Sequence, residues 1–358
     1  DARWTLAWLS FKAHRRDAAA LFAAFAAGAS DDPTRAQGLY WQARVSAPAE
    51  AARLDARVAS LDPLGWYGVL SAAKTAKVAP PPFPPARPAT ASGPAPAQLG
   101  VATELIGLGL FAEGCAEVDR YVQKRHGRAA ELLPAFALYE RAGRYDRSMV
   151  LAENLRAGRP PPLEFREPGR AAKGPPDPTG RAVLEAAYPA AYPEQVAASA
   201  RRAGLDPYFI LAVARRESLF RPDARSAAGA VGLLQLTPAT ARRVAAVLGR
   251  PAGRDDELFE PGNEIDLGAW YLSELVGRFG DPAIAAAAYN AGPRAAQPWA
   301  SRAAGMRLDE WVEEIPFRET RLYVKAVAGA WSAYRILAGG TPPVLAETVP
   351  EVKSGAEF

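Results

Sequence analysis

The chain is poor in the residues that many enzymes rely on. Its 358 residues include one cysteine, Cys115, and two histidines, His14 and His126. A single cysteine excludes a disulfide framework and any multi-cysteine zinc or iron–sulfur site. Two histidines so far apart argue against a histidine-based metal centre and against a Ser-His-Asp triad. No apolar run reaches the ~18 residues of a membrane span, so no transmembrane segment is expected. Charge of one sign is also scarce, with a net of +4 and the basic residues dispersed. That balance is compatible with an anionic polymer but identifies none, and nothing points to nucleic acid. The sequence opens at Asp1 without a methionine or signal peptide, so a mature or trimmed chain is expected.

Disorder throughout is excluded by a hydrophobic fraction of 49% and a charged fraction of 23%. Proline is what the chain has in excess. There are 33 prolines, and 15 of them fall within residues 80–96 and 160–178. Such stretches cannot be helix or central strand and read as extended connectors. They divide the chain into pieces at 1–79, 97–159 and 179–340, followed by a tail at 341–358. The first two pieces are alanine-rich and read as helical. Trp8 and Trp41 are 33 residues apart, and Gly109-Leu110-Phe111 recurs 34 residues later as Gly143-Arg144-Tyr145. A repeat of that length suits helical hairpins stacked as a solenoid. The pattern is already under way at Arg3-Trp4, so the solenoid is expected to be truncated at its start.

The third piece carries the chemistry. Asp206-Pro207 reads as an N-cap and first-turn proline. In the helix that follows, Ile210, Val213, Ala214, Glu217 and Phe220 fall on one stripe. Glu217 thus occupies a core position, where apolar neighbours raise a carboxyl's pKa toward the state a general acid needs. On the helix alone, a buried structural glutamate paired with an arginine is the favoured reading. Downstream lie Ser226, Gly229 and Gly232, then Gln235 inside an apolar run. Thr237-Pro238 is a second cap pair, for a helix near 238–248. Ala283 to Ala288 is a small-residue helix running into Tyr289-Asn290-Ala291-Gly292-Pro293, suited to bring the Tyr289 hydroxyl into a site. Cys115 and the two histidines have no place in this arrangement.

Four blocks then stand in order: Arg216-Glu217-Ser218-Leu219-Phe220, Gly232-Leu233-Leu234-Gln235-Leu236-Thr237-Pro238, Ala288-Tyr289-Asn290-Ala291-Gly292-Pro293, and Ile315-Pro316-Phe317-Arg318-Glu319-Thr320-Arg321-Leu322-Tyr323-Val324. Together they resemble the soluble lytic transglycosylases, large periplasmic enzymes that cleave peptidoglycan. The helical pieces and Asp62-Pro63-Leu64-Gly65-Trp66-Tyr67-Gly68 resemble the same enzymes more loosely.

The resemblance implies a mainly all-α chain, with a helical-hairpin solenoid followed by a lysozyme-like α+β catalytic domain with a small sheet. The domains expected are a superhelical part at 1–79, a proline-rich linker at 80–96, a helical linker domain at 97–159, a connector at 160–178, the catalytic domain at 179–340 and the tail. Glu217 matches the single acid/base. Ser226, Leu234, Gln235, Tyr289, Asn290, Glu319 and Tyr323 match positions lining the glycan groove, with Tyr289 expected to orient the carboxyl or the substrate's acetamido group. Leu234 stands where the family usually has methionine, and Arg294 where it often has glycine. The implied reaction cuts the bond between N-acetylmuramic acid and N-acetylglucosamine and leaves a 1,6-anhydro sugar. No metal or other cofactor is implied. The implied partners are peptidoglycan glycan strands and stem peptides, with cell-wall proteins recruited through the helical part, in the periplasm. A lysozyme-type hydrolase and a non-catalytic peptidoglycan-binding scaffold are the competing readings.

Overall fold

The computed structural model describes residues 2–73, 96–125, 129–156, 178–251, 254, 257 and 259–353. The two proline-rich connectors lie outside the described residues except at Pro96 and Pro178, and Pro178 begins a helix rather than ending a connector.

Five helices form the first piece: α1 (Ala2–Lys12), α2 (Ala18–Ala27), α3 (Asp32–Ala43), α4 (Pro48–Leu61) and α5 (Trp66–Ala73). Each packs on the next, the arrangement of a solenoid. The 33-residue tryptophan spacing has a physical basis. Trp8 on α1 meets Trp41 on α3 edge to face, with ring centroids 4.8 Å apart, and Trp41 is fully buried.

The second piece holds two hairpins, α6 (Gly100–Gly107) with α7 (Phe111–Gln123), and α8 (Ala129–Arg141) with α9 (Tyr145–Arg156). Its glycine repeat is a repeated turn. Gly109 and Gly143 have φ of 79° and 68°, the left-handed region that favours glycine. The next residue closes the same bond in each turn, Leu110 N–H to Leu105 C=O at 2.9 Å and Arg144 N–H to Tyr139 C=O at 2.8 Å. Cys115 is buried in this piece's own core with Ile106, Val118 and Leu132.

The third piece runs α10 (Pro178–Ala187), α11 (Pro193–Ala203), α12 (Pro207–Ser218), α13 (Pro238–Val247), α14 (Pro261–Phe279), α15 (Pro282–Ala291), α16 (Pro293–Arg302), α17 (Leu308–Glu314) and α18 (Arg318–Leu337). The helices from α10 to α16 all begin on proline, whose fixed φ and missing N–H suit the first helical position. Helix starts therefore account for a second part of the proline excess. Both predicted caps form. Asp206 accepts from Tyr208 N–H at 2.9 Å, and Thr237 accepts from Thr240 N–H at 3.1 Å.

Two expectations change. The small sheet reduces, among the described residues, to isolated bridges pairing Val231 with both Arg225 and Leu236, and Arg307 with Thr348. Phe220 is not on the helical stripe. Leu219 and Phe220 take φ of 54° and 62°, which ends α12 at Ser218, and Phe220 is buried by folding back rather than by helical spacing. Helix α12 itself is buried all round from Tyr208 to Ala214, wider than a single stripe.

The solenoid is joined to the third piece through polar contacts. The Tyr40 hydroxyl and Arg44 Nε both donate to buried Asp309, at 2.6 and 2.7 Å. Tyr67 bonds Glu313, which Lys325 Nζ also bonds at 2.7 Å. Residues 341–353 form an extended strap. Met306 C=O accepts from Val349 N–H at 2.8 Å, Glu347 C=O from Leu308 N–H at 3.0 Å and Arg278 C=O from Lys353 N–H at 3.0 Å.

Candidate active site

The site is built where α12, α15 and α18 meet the loop between α12 and α13. Helices α12 and α18 pack along each other, and α15 packs on α18. The apolar sequence of α12 drives it into the core, so its last turn delivers Glu217 into a largely desolvated position. Burial raises the Glu217 carboxyl from 4.5 to about 7. The Tyr323 hydroxyl opposes this by donating to Oε1 at 2.5 Å, and the Arg216 charge opposes it further, while Glu319 adds to the rise. Among the described residues no ion pair includes Glu217. Arg215 turns away to Glu153 at 2.9 Å and to the Ala187 carbonyl at 3.1 Å. The structural alternative for Glu217, a buried pair with arginine, therefore lacks its partner.

Tyr323 and Tyr289 divide the work differently from the expectation. Tyr323, on α18 and 3% exposed, is the phenol that reaches Glu217. Tyr289, in the last turn of α15, donates instead to the Leu234 carbonyl at 2.7 Å. The reason is helix placement: α18 lies against α12, whereas the end of α15 faces the 232–235 turn.

That turn is tightly made. Ser218, next to Glu217, donates to the Leu233 carbonyl at 2.7 Å. Gln235 sits at φ 52°, and its Nε2 donates to the Gly232 and Ala224 carbonyls at 2.9 and 3.1 Å. The amide nitrogen of Gln235 thus closes its own loop. Ser226 is exposed, and its hydroxyl accepts from Ala230 N–H at 3.0 Å in the preceding turn. Asn290 accepts from the Thr320 hydroxyl at 2.7 Å, which ties the end of α15 to the start of α18. Glu319 lies exposed on the first turn of α18. The fold therefore brings two hydrogen-bonded pairs together, Tyr323 with Glu217 and Tyr289 with the Leu234 carbonyl, with Tyr289 and Glu319 both within the field of Glu217. Ser226, Gln235 and Asn290 are each engaged in local bonds of the surrounding turns and helix ends.

Sequence reasoning missed Glu264. This residue is 0% exposed. Its two carboxylate oxygens accept the Leu233 N–H at 2.6 Å and the Leu234 N–H at 2.8 Å. The signal was available: Glu264 falls on the same helical face as Leu267, Gly268, Tyr271 and Leu275, the buried face of α14. One turn further along, Gly268 packs under the Leu234 side chain so closely that a Cβ there would overlap it.

Comparison with known proteins bears on the same region. Residues 194–311 match the family model described as the Transglycosylase SLT domain. The soluble lytic murein transglycosylase of Salmonella typhimurium is 36% identical over 169 residues, 46% of this chain and 26% of that protein. The structure of an inactive mutant of lytic transglycosylase Slt from Pseudomonas aeruginosa aligns over 94% of this chain and 57% of its own, with TM-score 0.58 and 24% identity. That of a 70-kDa soluble lytic transglycosylase in complex with bulgecin A aligns over 94% of this chain and 52% of its own, with TM-score 0.60 and 23% identity. The chain thus spans about a quarter of the Salmonella protein and about half of each solved structure.

Proposed function

Because this chain belongs to the soluble lytic transglycosylase family, we propose that it is an enzyme cleaving the β-1,4 bond between N-acetylmuramic acid and N-acetylglucosamine in peptidoglycan, with Glu217 as the sole acid/base. The observation that carries this reading is the Glu217 carboxyl, half-buried, without an ionic partner among the described residues and raised to about 7 by desolvation. A carboxyl in that state holds a proton near neutral pH and can deliver it.

In this mechanism Glu217 protonates the glycosidic oxygen as the bond to the muramic-acid anomeric carbon breaks. The 2-acetamido group of that sugar stabilises the developing cation. The ionised Glu217 then takes the proton of the sugar's own 6-hydroxyl, whose oxygen bonds to the anomeric carbon. The proton count is restored on Glu217, no water is consumed, and the product is a 1,6-anhydro end. Glycosidases that use water employ a second carboxylate. Here Glu264 is occupied by backbone N–H groups, and Asp223 lies exposed in a turn with Arg221. Tyr323 sets the orientation and acidity of Glu217. Gln235, Ser226, Asn290, Leu234 and Glu319 shape the groove for sugar and stem peptide, an orientational contribution. Residues 179–340 are the catalytic domain in this reading, and the pieces at 1–79 and 97–159 are helical domains beside it. The murein-directed relatives also make the periplasm the proposed location.

Digestion of purified peptidoglycan followed by mass spectrometry of the muropeptides tests this. Anhydro ends are expected, and reducing ends from the unaltered chain would replace the reading with a hydrolase. Glu217→Gln keeps the shape and removes the proton, so surviving activity would remove Glu217 from the role of acid.

A further inference from the structure

Glu264 remains unused by this mechanism although it is more deeply buried than either Glu217 or Glu319. A buried carboxylate costs free energy unless its oxygens are satisfied. The Leu233 and Leu234 N–H groups satisfy both oxygens, and among the described residues no ion pair includes Glu264. The chain has made room for this contact: at Gly232, with φ 83°, a Cβ would overlap the Glu264 carboxylate. The two residues so held are the ones through which the turn touches the rest of the site. Leu233 accepts from Ser218, the neighbour of Glu217, and Leu234 accepts from Tyr289. The turn also contains Gln235 in a left-handed conformation that a non-glycine residue adopts only when its surroundings enforce it.

We propose that Glu264 is a positioning residue: by accepting the Leu233 and Leu234 N–H groups, its ionised carboxylate holds the 232–235 turn in the geometry that seats Gln235 and the Tyr289 anchor beside Glu217. The inference rests on the transglycosylase reading of the site. Its chemistry is that of an acceptor pair. A carboxylate offers acceptors to both N–H groups, whereas the protonated acid turns one oxygen into a donor and leaves one N–H unmatched.

The clamp is therefore sensitive to pH. Burial raises the Glu264 carboxyl to about 7, with the backbone N–H groups opposing the rise. The titratable groups that feel its charge are the phenols of Tyr192 and Tyr289, both pushed upward and neutral in the working range. A single-carboxylate mechanism has no ionised nucleophile to produce an acidic limb in its pH–rate profile. The Glu264 clamp supplies one, while Glu217 supplies the alkaline limb.

Two measurements on the full chain decide this. The first reads amide hydrogen exchange between pH 8 and 5.5. Protection factors at Leu233 and Leu234 are expected to fall at least tenfold relative to the core amide of Leu272. Parallel behaviour of the three amides would overturn the clamp, and this readout needs no activity. The second is the pH dependence of kcat/KM for peptidoglycan in Glu264→Gln. The variant is expected to lose the acidic limb, with at least a tenfold lower kcat/KM at the optimum of the unaltered chain and an unchanged circular dichroism spectrum. Retention of that limb at full rate would also overturn the proposal. If Glu264→Gln does not fold, the exchange measurement alone decides. If the unaltered chain yields no anhydro product, the transglycosylase reading fails while the exchange result still tests the clamp.

Discussion

Replacing Tyr323 by phenylalanine should move the alkaline limb of the pH–rate profile upward. The phenol donates to Glu217 Oε1 at 2.5 Å and favours the ionised carboxylate, opposing the rise that burial imposes. The ring is buried, so phenylalanine preserves the packing and removes only the donor. A hydrogen bond to a charged group contributes about 1.5–3 kcal/mol, and one pKa unit corresponds to about 1.4 kcal/mol. Glu217 should therefore rise by about one to two units above its starting value near 7. The protonated acid is the active form, so kcat/KM should persist to correspondingly higher pH in Tyr323→Phe. Release of anhydro-muropeptides measured from pH 5 to 10 reads the limb. Carbon-13 NMR titration of the Glu217 carboxyl reads the same pKa without turnover. A limb and a resonance that both stay in place, or move downward, would refute the assignment of Tyr323 as the donor that tunes Glu217.

Other perturbations follow from the same geometry. Glu217 and Glu264 each hold a proton more tightly folded, at about 7, than at the ordinary 4.5. The folded state therefore carries more protons between those values, and its stability should fall as pH rises from 4.5 to 7. Denaturant melts across that window check this, and a rise would contradict it. Glu217→Gln, which removes one of the burial-disfavoured charges, should abolish turnover and yet raise Tm at pH 8, a trade common where a site is built at the expense of stability. Gly268→Ala should cost about 1–3 kcal/mol in urea, because the added methyl overlaps Leu234 and the core resists overpacking. It should lower kcat/KM as well, and a neutral result would mean that Leu234 repacks freely. Trp41→Ala should cost about 3–5 kcal/mol, whereas Leu9→Ala, at a position 60% exposed, should stay within about 0.5 kcal/mol.

Local chemistry was legible in the sequence, and tertiary choice was not. Asp206-Pro207 and Thr237-Pro238 could be read as helix starts because a capping side chain and a proline act within one turn of chain. The spacing of Gly109 and Gly143 is legible as a repeat, while the turns they make appear only in the backbone geometry. Phe220 lies off the expected stripe because the chain reverses at Leu219 and Phe220, both at positive φ, which buries Phe220 and leaves Leu219 exposed, a reversal that no helical spacing records. That Tyr323 rather than Tyr289 reaches Glu217 is not readable in the sequence, because each tyrosine is 70 or more residues from Glu217 and only the packing of α18 on α12 decides which hydroxyl arrives. Glu264 was readable by the same argument that selected Glu217, a carboxyl on the buried face of an amphipathic helix. The N–H groups that hold it come from a loop about thirty residues away and could not be inferred.

Helix α18 links the solenoid to the chemistry. Tyr323 and Lys325 are two residues apart, hence about 200° apart around the helix, so they face opposite ways. Tyr323 reaches Glu217. Lys325 reaches Tyr67 at 2.8 Å and Glu313 at 2.7 Å, and Gly329 lets the Leu64 carbonyl approach so closely that a side chain there would collide with it. A two-sided contact of this kind fixes a helix against both translation and rotation. The tolerance at Glu217 is small, because a hydrogen bond weakens steeply once its geometry leaves the favourable range. Apolar packing alone would let α18 slide along α12, since burial is not directional, but Trp331 Nε1 and Arg335 Nη1 both donate to Asp206 at the start of α12, at 3.0 and 2.5 Å. The bond from Thr320 to Asn290 holds the start of α18, and the bonds from Lys325 to Tyr67 and Glu313 add a hold on the face opposite Tyr323, so the first helical piece braces one side of the helix that carries the Tyr323 hydroxyl.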